Sequence, residues 1–175
     1  PAVEVLGSST VICTDKTGTL TKNEMTVKLV WRDQEQYDVS GTGYTNIGKV
    51  IKRDTAEEIE PECEPELDAL IEIATLANEA SIEYQEKGKP YKTFGDPTEV
   101  ALLILAEKCQ TVETIKEKWD IEYLFPFESD RKRMSVIAKE KESGKYRIMV
   151  KGALDILLEH CISYVRNEQI KSLDH

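Results

Sequence analysis

The chain has 175 residues, is 40% hydrophobic and 32% charged, and carries a formal net charge of -10. That length and apolar content suffice for one cored domain, or one domain plus a further piece. The negative field argues against nucleic-acid or anionic-membrane binding, while leaving room for a small anion wherever cations cluster.

Residues 9–14, STVICT, are short and β-branched and run into polar turn residues, which predicts a buried strand. Residues 25–32 (MTVKLVWR) and 35–41 (EQYDVSG) predict two half-exposed strands with a turn at RDQ. After the glycine-punctuated loop GTGYTNIG, KVIKR at 49–53 predicts a short strand. The acidic, proline-broken stretch 54–66 lacks an apolar period and predicts a solvated connector. From Pro65 the residues Leu67, Leu70, Ile71, Ala74, Ala77 and Asn78 recur in helical steps. Asp96 as cap, Pro97 in the first turn and Glu99 three residues past the cap then announce a helix over 96–109.

Residues 111–119 predict a short helix, and 121–129, 132–141 and 145–152 three strands, the last two joined by the turn ESGK. Phe125 and Phe127, two apart, are expected on one strand face. ALDILLEHC at 153–161 predicts a helix, and 163–173 a hairpin turning near RNEQ. Short connections make the bulk an α+β domain with an antiparallel sheet flanked by helices, while the first strand is expected in a separate parallel sheet. Cys13, Cys63, Cys109 and Cys161 are scattered without a C-x-x-C pair, as free thiols in a reducing compartment would be. No signal peptide is visible, and the longest apolar run, VALLILA, is far below the ~20 residues of a membrane span. The chain is expected to be soluble.

The run VICTDKTGTLT carries the chemistry. Ligands of parallel α/β sheets sit beyond the carboxyl ends of strands, where Asp15 stands. A carboxylate there can attack a phosphoryl group, which asks for positioning and charge neutralisation more than proton transfer. Lys16 supplies charge, Thr17 and Thr19 supply hydroxyl groups, and Gly18 permits close backbone approach. A lone DKT would equally close a strand as an ordinary Asx-turn.

ICTDKTGTLT resembles the phosphorylation motif of the P-type cation-transporting ATPases. GDPTEVALL (95–103), FPFESDRKRMSV (125–136) and VKGALDILLEHC (150–161) resemble motifs of their nucleotide domain, in the same order, and the pattern is closest to the type II, calcium-pump-like members. The resemblance implies residues 1–25 as the start of an α/β haloacid-dehalogenase-like phosphorylation domain. It implies residues 26–175 as a nucleotide-binding domain truncated at its C-terminal end.

It implies Asp15 as acceptor of the γ-phosphate of ATP, with Lys16 and Thr17 beside it. Magnesium would be held in part by Asp15 and Thr17. ATP would lie against Glu99, Phe127, Ser129, Lys132, Met134, Lys151 and Gly152, with Phe127 stacked on adenine and Glu99 on its amino group. Glu99 fits a capping box as well. Arg131 and Arg133 read as solvated. Ser129 departs from the arginine of some calcium pumps, so a hydroxyl replaces a charged fork.

Thr17 stands where related phosphatases carry a second aspartate, so an aspartyl-phosphate would persist long enough to drive a conformational change. The family's TGD segment, second lysine and GDGxND magnesium motif are absent from the 175 residues. The resemblance therefore implies a piece from the cytoplasmic side of a membrane. It would bind ATP without turnover and work with the pump's phosphorylation, actuator and membrane domains, with calcium the first choice of cation. A stand-alone haloacid-dehalogenase-like phosphotransferase, or a non-catalytic nucleotide-binding module, is the alternative.

Overall fold

A computed structural model describes residues 7, 10–32, 34–59, 64–86, 89–166 and 169–173. Strands β1 (Leu29–Arg32), β2 (Glu35–Val39), β3 (Val50–Lys52) and β4 (Glu57–Glu58) form an antiparallel sheet in that order. Val30, Tyr37, Val39 and Val50 turn inward from it. Helix α1 (Pro65–Leu76) begins with proline in its first turn and buries Leu67, Ile71 and Ala74. A hairpin of β5 (Ser81–Glu83) and β6 (Lys92–Phe94) comes next, then α2 (Pro97–Cys109) and α3 (Val112–Glu117). Helix α2 is apolar almost all round, burying Val100, Ala101 and the run from Leu103 to Ala106, as a helix at the centre of a domain must.

The site rests on the sheet of β7 (Trp119–Glu128), β8 (Arg133–Glu140) and β9 (Tyr146–Gly152), antiparallel with β8 in the middle. Strand β8 alternates with period two, and its inward residues Met134, Val136 and Ala138 are wholly buried against the helical layer. A short α4 (Leu154–Leu158) and the hairpin β10 (Ser163–Arg166) and β11 (Gln169–Ser172) complete the order. One continuous core joins the first sheet, α1, α2, α3 and the inward face of β7–β9. The bulk of the chain is thus the antiparallel α+β domain expected.

Several local expectations change. Residues 10–14 form no strand, and Val11 and Ile12 are 76% and 78% exposed. A buried parallel strand is held by its neighbours, and among the described residues none pairs with this segment. The strand expected over 25–32 shortens to Leu29–Arg32. The connector over 54–66 contains β4, paired to β3 through Ile51↔Glu58 and Lys52↔Glu57. The β5–β6 hairpin, paired through Ser81↔Phe94, Ile82↔Thr93 and Glu83↔Lys92, matches no element predicted from the sequence. Ala77 and Asn78 lie beyond the end of α1, and the helix expected over 153–161 shrinks to five residues. Cys63 lies outside the described residues, as does the tip of the last hairpin. No helix among the described residues is long and apolar enough to cross a membrane.

Candidate functional site

Strand β7 does not run evenly along β8. Phe125 pairs with Ser135 and Glu128 with Arg133, so two residues, Pro126 and Phe127, face the single residue Met134. That is a β-bulge, and proline belongs in one because it has no N–H to give to a ladder. The extra residue re-aims the rest of the strand. Phe125 stays on the outer face with Ser135, while Phe127 turns to the inward side that carries Met134, overturning the expectation of a shared face. Arg131, expected to be solvated, latches the bulge: Nε donates to the Glu128 carboxylate at 2.8 Å and Nη2 to the Pro126 carbonyl at 3.0 Å.

A cavity of about 640 Å³ opens there, bounded by Glu79, Asp96, Thr98, Glu99, Leu102, Phe127, Met134, Lys151 and Gly152. Its size is that of a small-molecule site. Phe127 remains 56% exposed and Met134 is fully buried, so the first offers a free ring and the second a packed floor. Gly152 pairs with Arg133 across β8–β9, and a Cβ on it would come within 2.5 Å of the Lys132 carbonyl oxygen. Strand packing thus explains this glycine without any ligand.

The polar end is built by the start of α2. Asp96 caps the helix, its Oδ1 accepting from the Thr98 N–H at 2.8 Å. Hydrogen bonding from Thr98 holds the Asp96 carboxyl below its ordinary pKa. Glu99 does not form the capping box: Oε1 accepts from Lys151 Nζ at 2.7 Å and Oε2 from the Glu79 N–H at 3.2 Å. Glu99 and Lys151 side chains are only 16% and 22% exposed, so the pair is partly desolvated at the cavity wall.

Of the residues singled out in the sequence, Glu99, Phe127, Met134, Lys151 and Gly152 meet at this cavity. Ser129 and Lys132 are not among its lining residues; both are exposed in the turn between β7 and β8, Lys132 at φ +49°. Asp15, Lys16 and Thr17 lie in an exposed turn in which the Lys16 carbonyl accepts from the Leu20 and Thr21 N–H groups. From that end of the chain Met25 reaches the cavity rim, its sulfur accepting from the Thr98 hydroxyl at 3.4 Å. Glu79, Asp96, Thr98 and Leu102 also line the cavity and escape a sequence-only reading. Asp96 is legible there as a helix cap, and the other three carry no local signal of a site.

The cavity suits a flat heteroaromatic group: one ring for stacking, an apolar floor and carboxylate acceptors at one end. Magnesium is different. Among the described residues no group of three or more His, Cys, Asp or Glu could hold a metal. Asp15 and Thr17 alone fall well short of the six oxygens that ion prefers, so they do not fit a complete magnesium site.

A family model described as P-type ATPase, cytoplasmic domain N, matches residues 66–175. A calcium-transporting ATPase of Bacillus subtilis is 38% identical over 160 residues, 91% of this chain and 17% of that protein. The cation-transporting ATPase pma1 of Synechocystis is 36% identical over 180 residues, 99% of this chain and 19% of that protein. The calcium-transporting ATPase type 2C member 2 of Mus musculus is 38% identical over 166 residues, 94% of this chain and 17% of that protein. The chain thus spans about a fifth of the length of these relatives.

Proposed function

This chain belongs to the P-type ATPase family, and we propose that it is the nucleotide-binding headpiece of a cation pump, holding ATP by its purine in the cavity between α2 and β7–β9. The carrying observation is the convergence on one cavity of Phe127, Met134, Glu99 and Lys151, residues from three separate sequence motifs. Adenine stacks on the free face of Phe127 over the Met134 floor, and its exocyclic amino group donates to Glu99. The relatives named as calcium-transporting make calcium the first candidate cargo.

In the intact protein Asp15, flanked by Lys16 and Thr17, receives the γ-phosphate, and residues 1–25 form the beginning of the phosphorylation domain. A magnesium ion there would supply charge neutralisation only with ligands beyond Asp15 and Thr17, and the 175-residue chain is accordingly expected to bind ATP without turnover. It works from the cytoplasmic face of a membrane alongside the pump's other domains.

The experiment is ATP titration of the 175-residue chain followed by chemical shift or tryptophan fluorescence, with Phe127→Ala and Lys151→Ala alongside. We expect micromolar-to-millimolar binding, roughly -4 to -8 kcal/mol, weakened in both variants. Unchanged affinity in both removes the cavity as the nucleotide site.

A further inference from the structure

We propose that Asn78 is a positioning residue of this cavity, fixing the Glu99 carboxylate in the orientation that selects a purine bearing an exocyclic amino group. The inference rests on the adenine-nucleotide reading above and adds to it the residue that controls base selectivity.

Asn78 sits just beyond α1. Its Nδ2 donates to the Ala74 carbonyl at 3.0 Å and to the Glu99 carbonyl at 3.0 Å, and its Oδ1 accepts from the Ala80 N–H at 2.8 Å. Both amide protons are thereby used. The reverse amide orientation would set Nδ2 against the Ala80 N–H and Oδ1 against two carbonyls, so the network admits one orientation. A single side chain therefore ties the end of α1, the first turn of α2 and the approach to β5.

Glu79 lies between the two residues so anchored, and its backbone N–H is the group that donates to Glu99 Oε2 at 3.2 Å. Asn78 accordingly grips Glu99 twice: directly at the backbone carbonyl, and through the Glu79 amide at the carboxylate. Gly95 closes the arrangement from behind. It has φ +109°, and a Cβ there would lie 2.8 Å from the Ala80 Cα, so the 78–80 turn is seated on the backbone leading into α2.

With Oε1 held by Lys151 and Oε2 by one N–H, each carboxylate oxygen keeps a lone pair. Which way those lone pairs point decides whether an amino group at the edge of the base is met. A purine with an oxo group in that place would present lone pair to lone pair. Sites built around a hydrogen bond reject analogues that cannot make it. Loosening Glu99 should therefore erode discrimination and leave stacking on Phe127 intact.

The test measures dissociation constants of the 175-residue chain for ATP and inosine triphosphate, which differ at that exocyclic position. Asn78→Ala and Asn78→Asp both remove the two donations, and the aspartate keeps the acceptor and the size. Expected is a fall in ATP affinity of about five- to tenfold, the scale of one net hydrogen bond, with inosine triphosphate changed less than about twofold. Equal losses for both nucleotides, or none, would mean a structural role only and overturn the proposal.

The wild-type chain supplies a readout that needs no variant. The Glu79 amide resonance should shift and its hydrogen exchange slow with ATP but not with inosine triphosphate; the same response to both overturns the proposal. If Phe127→Ala and Lys151→Ala leave ATP binding untouched, the nucleotide reading itself has failed. If they weaken it while the Asn78 variants keep the wild-type preference between the two nucleotides, only the positioning role has failed.

Discussion

Replacing Phe127 with alanine separates binding from folding. Phe127 is 56% exposed, so the fold gains only part of what a buried phenylalanine contributes. A phenylalanine side chain offers roughly 200 Å², so about 110 Å² of it remains free for a ligand. Covering all of that at ~25 cal/mol per Å² would give about 2.8 kcal/mol, and covering one face about half. Alanine substitution at base-stacking positions costs ~1–3 kcal/mol, the same range.

The expectation is therefore a loss of about 1.5–2.5 kcal/mol in ATP binding, a rise in Kd of roughly 10- to 70-fold. The control is Phe125→Ala. That residue is 44% exposed, similar in type and setting, yet the bulge leaves it on the opposite sheet face. Calorimetric or chemical-shift titration of both variants, with urea melts to compare stability, gives the answer. Two equal affinity losses, or a Phe127→Ala Kd within about twofold of wild type, would refute the bulge geometry as the source of the site.

Arg131→Ala should weaken ATP binding about threefold, the scale of one net hydrogen bond, by releasing the Pro126 carbonyl and letting Phe127 wander. Arg131→Lys should restore little because a lysine lacks the fork needed for both contacts; full rescue by lysine in the same titration counts against the latch. Asp96→Ala should cost about 1 kcal/mol of stability at pH 7 as a lost helix cap. The Asp96 pKa is lowered in the folded chain, so its contribution is whole above the unfolded value near 3.8 and disappears as pH falls through the lower folded value. Urea melts from pH 7 down to about pH 3 should accordingly show variant and wild type converging on the acid side, and a constant gap contradicts the linkage. Gly152→Ala should destabilise by about 1–3 kcal/mol through overpacking against β8; a variant that melts like wild type and loses only ATP affinity would return this glycine to a ligand role.

Local features are the ones legible in the sequence. Helix α2 announces itself through Asp96, Pro97 and an apolar run, and β8 through the alternation Met134, Val136, Ala138, because caps and periodicity act over a few residues. The β5–β6 hairpin escapes because each strand is three residues long and its register depends on chain eight or more residues away. The strand expected at residues 9–14 has the right composition, but composition cannot supply a neighbour to pair with. Phe127 stands out by its motif, while a simple period of two gives its direction wrongly. The proline inside β7 is the signal that corrects it, since proline in a ladder marks a bulge. Asn78 reads in the sequence as the last residue of a helix face, and nothing local points to its partner Glu99, 21 positions on.

Charge then constrains how a nucleotide can lie. The cavity wall carries Glu79, Asp96 and Glu99 against Lys151, an excess of acid in a chain already at -10. A triphosphate drawn inside would meet those carboxylates at short range, where partial burial weakens screening. The uncharged base meets no such cost and gains stacking and a hydrogen-bond acceptor. Lys151 is committed to Glu99, so it offsets one negative charge of the wall and leaves little cationic character for phosphate. Exposed Lys132 and half-buried Arg133 sit instead at the β7–β8 turn, at the end of the sheet where Gly152 pairs with Arg133. In the proposed site the purine accordingly points inward and the phosphates outward past that turn, the polarity required if the terminal phosphate is to reach a carboxylate carried elsewhere in the protein.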